Sequence, residues 1–184
     1  HDALPILNPW FEKIEEILLN VKGVIRILSP DNPPVNYDYW ILPGRYKRHT
    51  KEYHEKLEKF LEKDHDFKYA TVVHCDTPSG VLNDLSSICP LLKKYGILTV
   101  VDSVAAMGGE DLQVDKWQID IALGGSQKVI SAPPGLTIAS ISTEAYQAMT
   151  ERKSPIASFY CNLLTFKDYY EKKWFPYTMP ISDI

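Results

Sequence analysis

From Tyr69 onward, short apolar runs alternate with helical patterns. The runs with strand character cover residues 69–75, 97–101, 119–123 and 136–142, and the helical patterns cover 84–95 and 143–152. Strands that alternate with helices in this way are typical of a parallel sheet covered by helices. The sequence therefore predicts an α/β fold with a mostly parallel sheet flanked by helices.

The beginning of the chain is more irregular. Apolar residues recur at helical spacing over 9–22, a short strand pattern follows at 24–28, and 29–44 is rich in Pro, Asn, Asp and aromatic residues. A helix is predicted for 50–63, with Thr50 as its N-cap. We therefore divide the chain into an N-terminal helical and irregular segment, 1–66, and a sheet domain, 67–184. Near the end of that domain a helix is predicted for 165–173.

Charge and cysteine content narrow the function classes. The chain of 184 residues has 20 basic and 24 acidic residues with the signs interspersed, which argues against nucleic acid as a partner. Its three cysteines fit reduced thiols, and their spacing is not that of a zinc site. No apolar run has the length of a membrane span, and the first residues lack the pattern of a signal peptide. We therefore expect a cytoplasmic protein without a bound metal.

Two residues at predicted strand ends carry the chemistry. Asp102 directly follows one strand, and Lys128 ends a small-residue turn after the next, 26 residues later. Ligands of open parallel sheets bind at the carboxyl ends of the strands. Taken alone, Lys128 is a solvated loop lysine, and one structural alternative for Asp102 is the cap of a following helix. Together they match the chemistry of pyridoxal phosphate: a desolvated lysine amine forms a Schiff base with the aldehyde, and a carboxylate keeps the ring nitrogen protonated.

Other polar residues near the predicted strand ends have both a structural and a functional interpretation. His74 is most simply a core histidine bonded to backbone, and Cys75 most simply fills the core. Thr77 and Ser79 either form a turn or bond a cofactor oxygen or phosphate. Gln127 is either a polar turn residue or a residue that orients the cofactor beside the following lysine.

Four ordered motifs, at 74–82, 101–109, 125–128 and 132–135, closely resemble the class V aminotransferases. Within that class they are most similar to the alanine-glyoxylate and serine-pyruvate aminotransferase branch. The resemblance covers about 67–184 and implies the large domain of a fold-type I transferase dependent on pyridoxal 5'-phosphate. Segment 67–184 would then be the central part of this cofactor-binding domain.

The resemblance also implies roles for individual residues. Lys128 would bind the cofactor covalently and act as the catalytic base, and Asp102 would contact the pyridine nitrogen. Val104 would pack against the ring face, Thr77 would bond the ring oxygen, and Gln127 would bond the phosphate.

Residues near the end of the chain point to shared active sites. Thr178 matches a threonine that in this family reaches the phosphate of the partner subunit's cofactor, which implies a homodimer. Phe175 stands where relatives carry a tyrosine for that phosphate, and Tyr177 is the candidate to replace it. The phosphate-holding loop of the family is not recognisable in 24–48. The resemblance also does not extend to the C-terminal domain of the family or to its substrate-binding arginine. We therefore expect an incomplete large domain.

The resemblance implies an enzyme that transfers an amino group from a small amino acid to a 2-oxo acid. One alternative keeps the cofactor but makes the protein a lyase or desulfurase of the same class, although a desulfurase is expected to have histidine where Gln127 stands. The other alternative is a catalytically incompetent fragment that acts as a dimerising or binding protein.

Overall fold

The computed structural model describes residues 24–27, 51–77, 80–166 and 168–173. The predicted helix over 9–22, the irregular stretch 29–44, the cap at Thr50 and the residues Tyr177 and Thr178 lie outside these ranges. Within the described ranges, no helix combines the length and the apolar character that a membrane span requires.

Five strands of the described chain form one sheet. They are β1 (Val24–Ile27), β2 (Tyr69–Val73), β5 (Leu98–Asp102), β6 (Ile121–Gly125) and β7 (Thr137–Ile141). Their order is β1-β2-β5-β6-β7, with parallel pairing throughout except for the antiparallel pair β6–β7. The prediction of a mostly parallel sheet is therefore confirmed.

The helices follow the predicted pattern up to residue 150. They are α1 (Lys51–Lys63), α2 (Leu85–Lys94) and α3 (Thr143–Thr150). Asp84 caps α2, because its carboxylate accepts a hydrogen bond from the backbone N–H of Ser86 at 3.1 Å. The core contains leucines of α1 and the apolar face of α2, together with the inward residues of the central strands.

Two element predictions are wrong in detail. The strand predicted for 69–75 ends at Val73, and a short antiparallel hairpin follows, formed by β3 (Cys75–Asp76) and β4 (Val81–Leu82). The single helix predicted for 165–173 is instead a 3-10 turn, Leu163–Phe166, and a short helix α4, Tyr169–Lys172. Asp168 between them has a φ of 61°, a left-handed conformation that interrupts a helix.

The three cysteines are free thiols, as predicted. The prediction that Cys75 fills the core is wrong, because Cys89 is the buried cysteine. Cys75 is half-buried in the hairpin, whereas Cys89 lies on the inner face of α2. Burial raises the pKa of Cys89 to about 12, helped by the nearby carboxylates of Asp120 and Asp84. Cys89 is therefore a packing residue and not a nucleophile at neutral pH.

Asp120 is a buried carboxylate that connects four elements. Its side chain is 1% exposed and accepts hydrogen bonds from Lys93 Nζ at 2.6 Å and Ser142 Oγ at 2.9 Å. The backbone N–H of Thr99 donates to its other oxygen at 2.9 Å. Asp120 thereby joins the end of α2, strand β5, the entry to β6 and the cap of α3, and this fixes where β6 lies.

Candidate active site

Asp102 and the turn that carries Lys128 lie at the same end of neighbouring strands. Asp102 is the last residue of β5, and it is paired with Leu123 of β6 in a parallel register. Strand β6 ends at Gly125, and Lys128 follows three residues later. The two predicted catalytic residues therefore belong to one edge of the sheet, where parallel α/β folds bind ligands.

Asp102 presents an exposed carboxylate at this edge. Its Oδ1 accepts a hydrogen bond from the backbone N–H of Val104 at 3.0 Å. Residues 104–106 form a turn, so Asp102 caps this turn and not the helix that its position in the sequence suggested. One carboxylate oxygen is thus fixed by the backbone, while the exposed group remains accessible to a cation.

Ser126 closes the loop that carries Gln127 and Lys128. Its hydroxyl donates to the carbonyl of Pro133 at 2.6 Å, and its backbone N–H donates to the carbonyl of Leu136 at 3.1 Å. Its own carbonyl accepts from Ala132 N–H at 2.9 Å. Lys128 itself is exposed, so the expected desolvation at the strand end is not provided by the described part of the chain.

The two glycines that end β6 allow close packing. A Cβ placed on Gly125 would lie 2.7 Å from Gln127 Oε1 and 3.3 Å from Val104 Cγ1. A Cβ on Gly124 would overlap the side chain of Met107. Val104 and Gln127, which come from different loops, therefore both reach the surface of Gly125, and a larger residue there would displace them.

The turn after Asp102 also touches the residues that follow Lys128. A Cβ on Gly109 would lie 2.9 Å from Val129 Cγ1, and one on Gly108 would lie 3.6 Å from Ile130. Gly108 has a φ of +91°, which other residues rarely adopt. The segment 107–109 is therefore a close-fitting support for the loop that carries the lysine.

Thr77 lies apart from the main sheet. It is exposed and follows β3, in a turn that the backbone N–H of Gly80 closes by donating to the carbonyl of Asp76 at 2.8 Å. The sequence analysis predicted that Thr77 comes just after the strand that the structure shows as β2. In the structure, His74 and the hairpin strand β3 lie between the end of β2 and Thr77.

His74 is a core histidine, as predicted, but its ring bonds a side chain rather than backbone. His74 is 3% exposed, and its Nδ1 lies 2.9 Å from the hydroxyl oxygen of the buried Ser103. Burial lowers the pKa of His74, and the negative charge of Glu110 opposes part of that shift. The imidazole is therefore neutral at neutral pH.

Sequence reasoning assigned no individual role to three contributors to this region: Ser103, Ser126 and Asp120. For Asp120 a signal existed, since a carboxylate inside an apolar strand run is too costly to bury without donors. For the two serines, residue type alone carried no signal, because a small hydroxyl next to a strand end is also a common turn residue.

A cavity of about 430 Å³ lies beside this region. It is lined by His74, Leu82, Asn83, Asp84, Leu85, Glu110, Asp111 and Trp117. Asp102, Val104, Gln127 and Lys128 do not line it, so the candidate site is the exposed edge of the sheet and not this cavity. Among the described residues, no group of His, Cys, Asp and Glu side chains is arranged to hold a metal ion.

Several known proteins are similar to this chain. The family described as "Aminotransferase class-V" matches residues 45–173. An uncharacterized aminotransferase of Methanocaldococcus jannaschii is 40% identical over 129 residues, which is 70% of this chain and 33% of that protein. An alanine-glyoxylate aminotransferase of Callithrix jacchus is 41% identical over 92 residues, covering 50% of this chain and 22% of that protein.

Among solved structures, the ureidoglycine-glyoxylate aminotransferase of Bacillus subtilis superposes with a TM-score of 0.71 at 25% identity. The match covers 90% of this chain and 45% of that one. The predicted fold class, a large domain of fold-type I with a mostly parallel sheet, is confirmed by this likeness. The chain thus spans a third or less of the two curated relatives above and under half of the solved structure.

Proposed function

This chain belongs to the class-V aminotransferases, and from that premise we propose that it transfers an amino group from a small amino acid to a 2-oxo acid. The cofactor would be pyridoxal 5'-phosphate. The observation that carries the proposal is the placement of Asp102 and the Lys128 turn on neighbouring parallel strands at one sheet edge. An acid and an amine at this edge suit a ligand that has both a cationic ring nitrogen and an aldehyde.

The residues at this edge fit the cofactor in their donor types. Gln127 and Val104 lie against Gly125 and leave no room there for a side chain, while the Asp102 carboxylate and the Lys128 amine are exposed. The cofactor, when bound, supplies an aldehyde that captures amines and a ring that withdraws electrons from the substrate. The protein would supply the groups that bind, orient and move protons.

The candidate residues have separate tasks in this proposal. Lys128 Nζ would bind the aldehyde carbon and, once released by the substrate amine, would move the α-proton as a general base. Asp102 would hold a proton on the ring nitrogen, and Val104 would pack on the ring face. Gln127 would donate to the phosphate, and Thr77 would bond the ring oxygen.

Labelling with borohydride tests the proposal. We expect that incubation of the chain with pyridoxal 5'-phosphate, followed by reduction, attaches the cofactor to Lys128, because reduction makes the bond between amine and aldehyde permanent. Mass spectrometry of peptides locates the adduct. The control is Lys128→Arg, which keeps the positive charge and removes the nucleophilic amine.

Two outcomes of the labelling contradict the proposal. An unmodified Lys128 in the original chain removes the aminotransferase interpretation and the related lyase interpretation together, and supports a binding role instead. Equal labelling of the Lys128→Arg variant shows that surface lysines react without a site. Amino-group transfer to pyruvate or glyoxylate then separates an aminotransferase from a lyase.

We also propose a cytoplasmic homodimer in which Tyr177 and Thr178 reach the partner subunit's cofactor phosphate. The dimer is supported by large hydrophobic side chains that are exposed in the described part of the chain, because a partner subunit could cover them. They include Val129, Ile130, Ile138, Phe159, Tyr160 and Leu163. Free thiols at all three cysteines support the reducing compartment. Light scattering after size exclusion is expected to give twice the chain mass of 21.0 kDa, and a stable monomer would contradict the dimer.

A further inference from the structure

We infer that His74 and Ser103 form a positioning pair that holds Asp102 in place at the sheet edge. The inference rests on the proposed function only in giving Asp102 a cofactor to contact. Both act through the backbone of Asp102 and of the turn that follows it.

His74 holds the end of β5 by two of its groups. Its backbone N–H donates to the carbonyl of Asp102 at 2.8 Å, and its ring nitrogen Nδ1 lies 2.9 Å from Ser103 Oγ. One residue that follows β2 thus contacts two consecutive residues at the end of β5. Two such contacts fix the rotation of the strand end as well as its position.

Ser103 is also held from the opposite side. Its backbone N–H donates to the carbonyl of Leu123 in β6 at 2.8 Å. Its carbonyl accepts from the backbone N–H of Met107 at 2.7 Å, which closes the following turn. Ser103 is 0% exposed, so it has no solvent to replace these partners. Ser103 is therefore anchored between His74, which follows β2, and Leu123 of β6.

The anchored backbone determines where the Asp102 carboxylate lies. Its Oδ1 accepts from Val104 N–H, which is one residue beyond Ser103. A shift of Ser103 would move that N–H and release the exposed carboxylate into several rotamers. The turn after Asp102 therefore orients the carboxylate, and the bond between His74 and Ser103 holds the start of that turn in place.

The chemistry of the pair suits this task. Two apolar side chains would fill the same buried space without needing a hydrogen bond, whereas a buried imidazole and hydroxyl require one, and that bond has a direction. The imidazole is neutral because it is buried, so it places no positive charge beside Asp102. The pair therefore does not compete with the ring nitrogen for the Asp102 carboxylate.

Hydrogen exchange tests the positioning without any cofactor. Ser103→Ala and His74→Leu remove the bond, and we expect about tenfold faster exchange at the backbone N–H groups of Val104 and Met107, the equivalent of one lost hydrogen bond. The N–H groups of Val72 and Val101, inside β2 and β5, should not change. His74→Asn, whose amide lies near the position of Nδ1, should restore most of the protection.

Unchanged exchange at Val104 and Met107 overturns the inference. So does an equal acceleration at Val72 and Val101, because that result means a general loss of stability. The two hypotheses fail in different experiments. If the proposed function is wrong, Lys128 of the original chain stays unlabelled. Hydrogen exchange tests the positioning pair without pyridoxal phosphate, so its result does not depend on that labelling.

A double-mutant cycle then tests the route through Asp102. Ser103→Ala is expected to weaken the binding of pyridoxal 5'-phosphate, followed by its visible absorption, about tenfold when Asp102 is present. In the Asp102→Asn background the same substitution should change the dissociation constant less than about twofold, because the contact that it positions is already lost. Equal effects in both backgrounds contradict positioning of Asp102.

Discussion

Asp120→Ala is expected to lower the free energy of unfolding by about 3–5 kcal/mol, the usual cost of breaking a buried ion pair by removing one partner. The substitution leaves the Lys93 amine, the Thr99 N–H and the Ser142 hydroxyl without their shared acceptor. It also opens a small cavity at a residue that is 1% exposed. Unfolding in urea, followed by circular dichroism, measures the loss.

Two variants make this stability test specific. Asp120→Asn keeps one acceptor oxygen and should cost less than Asp120→Ala. Lys93→Met leaves three donor groups on the carboxylate but removes the counter-charge of a side chain that is 1% exposed, so it should also lower the free energy of unfolding. A cost below about 1 kcal/mol for Asp120→Ala would contradict the role of Asp120 as the junction of these elements.

Asp102→Asn is expected to slow amino-group transfer by a factor of about 10²–10³, the usual effect of removing one preorganised electrostatic contact from an active site. The amide has the shape of the carboxylate, and its oxygen still accepts from Val104 N–H, so the turn should persist. What is lost is the negative charge that would hold a proton on the ring nitrogen. Single-turnover kinetics with a small amino acid measures the loss.

Asp115→Asn is the matched control for this second prediction. Asp115 is exposed and lies in the connection that leads from Asp102 at the end of β5 to β6. Its substitution by Asn changes the net charge by the same amount as Asp102→Asn. Its rate should stay within about twofold of that of the original chain. A loss below tenfold in Asp102→Asn, or an equal loss in Asp115→Asn, would remove the assigned role of Asp102.

The sequence could predict those parts of the site that depend on the order and spacing of residues along the chain. Asp102 and Lys128 are 26 residues apart, and the alternation of strand and helix predicts parallel neighbours, so both belong to one edge. The helix over 84–95 was predicted from its apolar face, and the structure shows that Asp84, the first residue of that range, caps it. These signals lie within a few residues of the feature they predict.

The errors have a common physical cause. The helix predicted for 165–173 has helical composition, yet Asp168 adopts a left-handed conformation between two short segments. The strand predicted for 69–75 is apolar to its end, yet His74 leaves the ladder to bond Ser103, and Cys75 pairs in a separate hairpin. In both cases the chain adopts one of several local conformations whose intrinsic preferences differ little, so a local pattern does not decide between them.

By itself the sequence determined the fold class, the family and the pair of residues at the sheet edge, because periodicity and motif order are properties of neighbouring positions. Only the tertiary structure assigned partners to His74 and Asp120. His74 bonds a residue 29 positions away, and the partners of Asp120 lie 21, 22 and 27 positions away. The cost of burying a polar group depends on the donors that the fold brings to it, and residue type does not specify which donors those are.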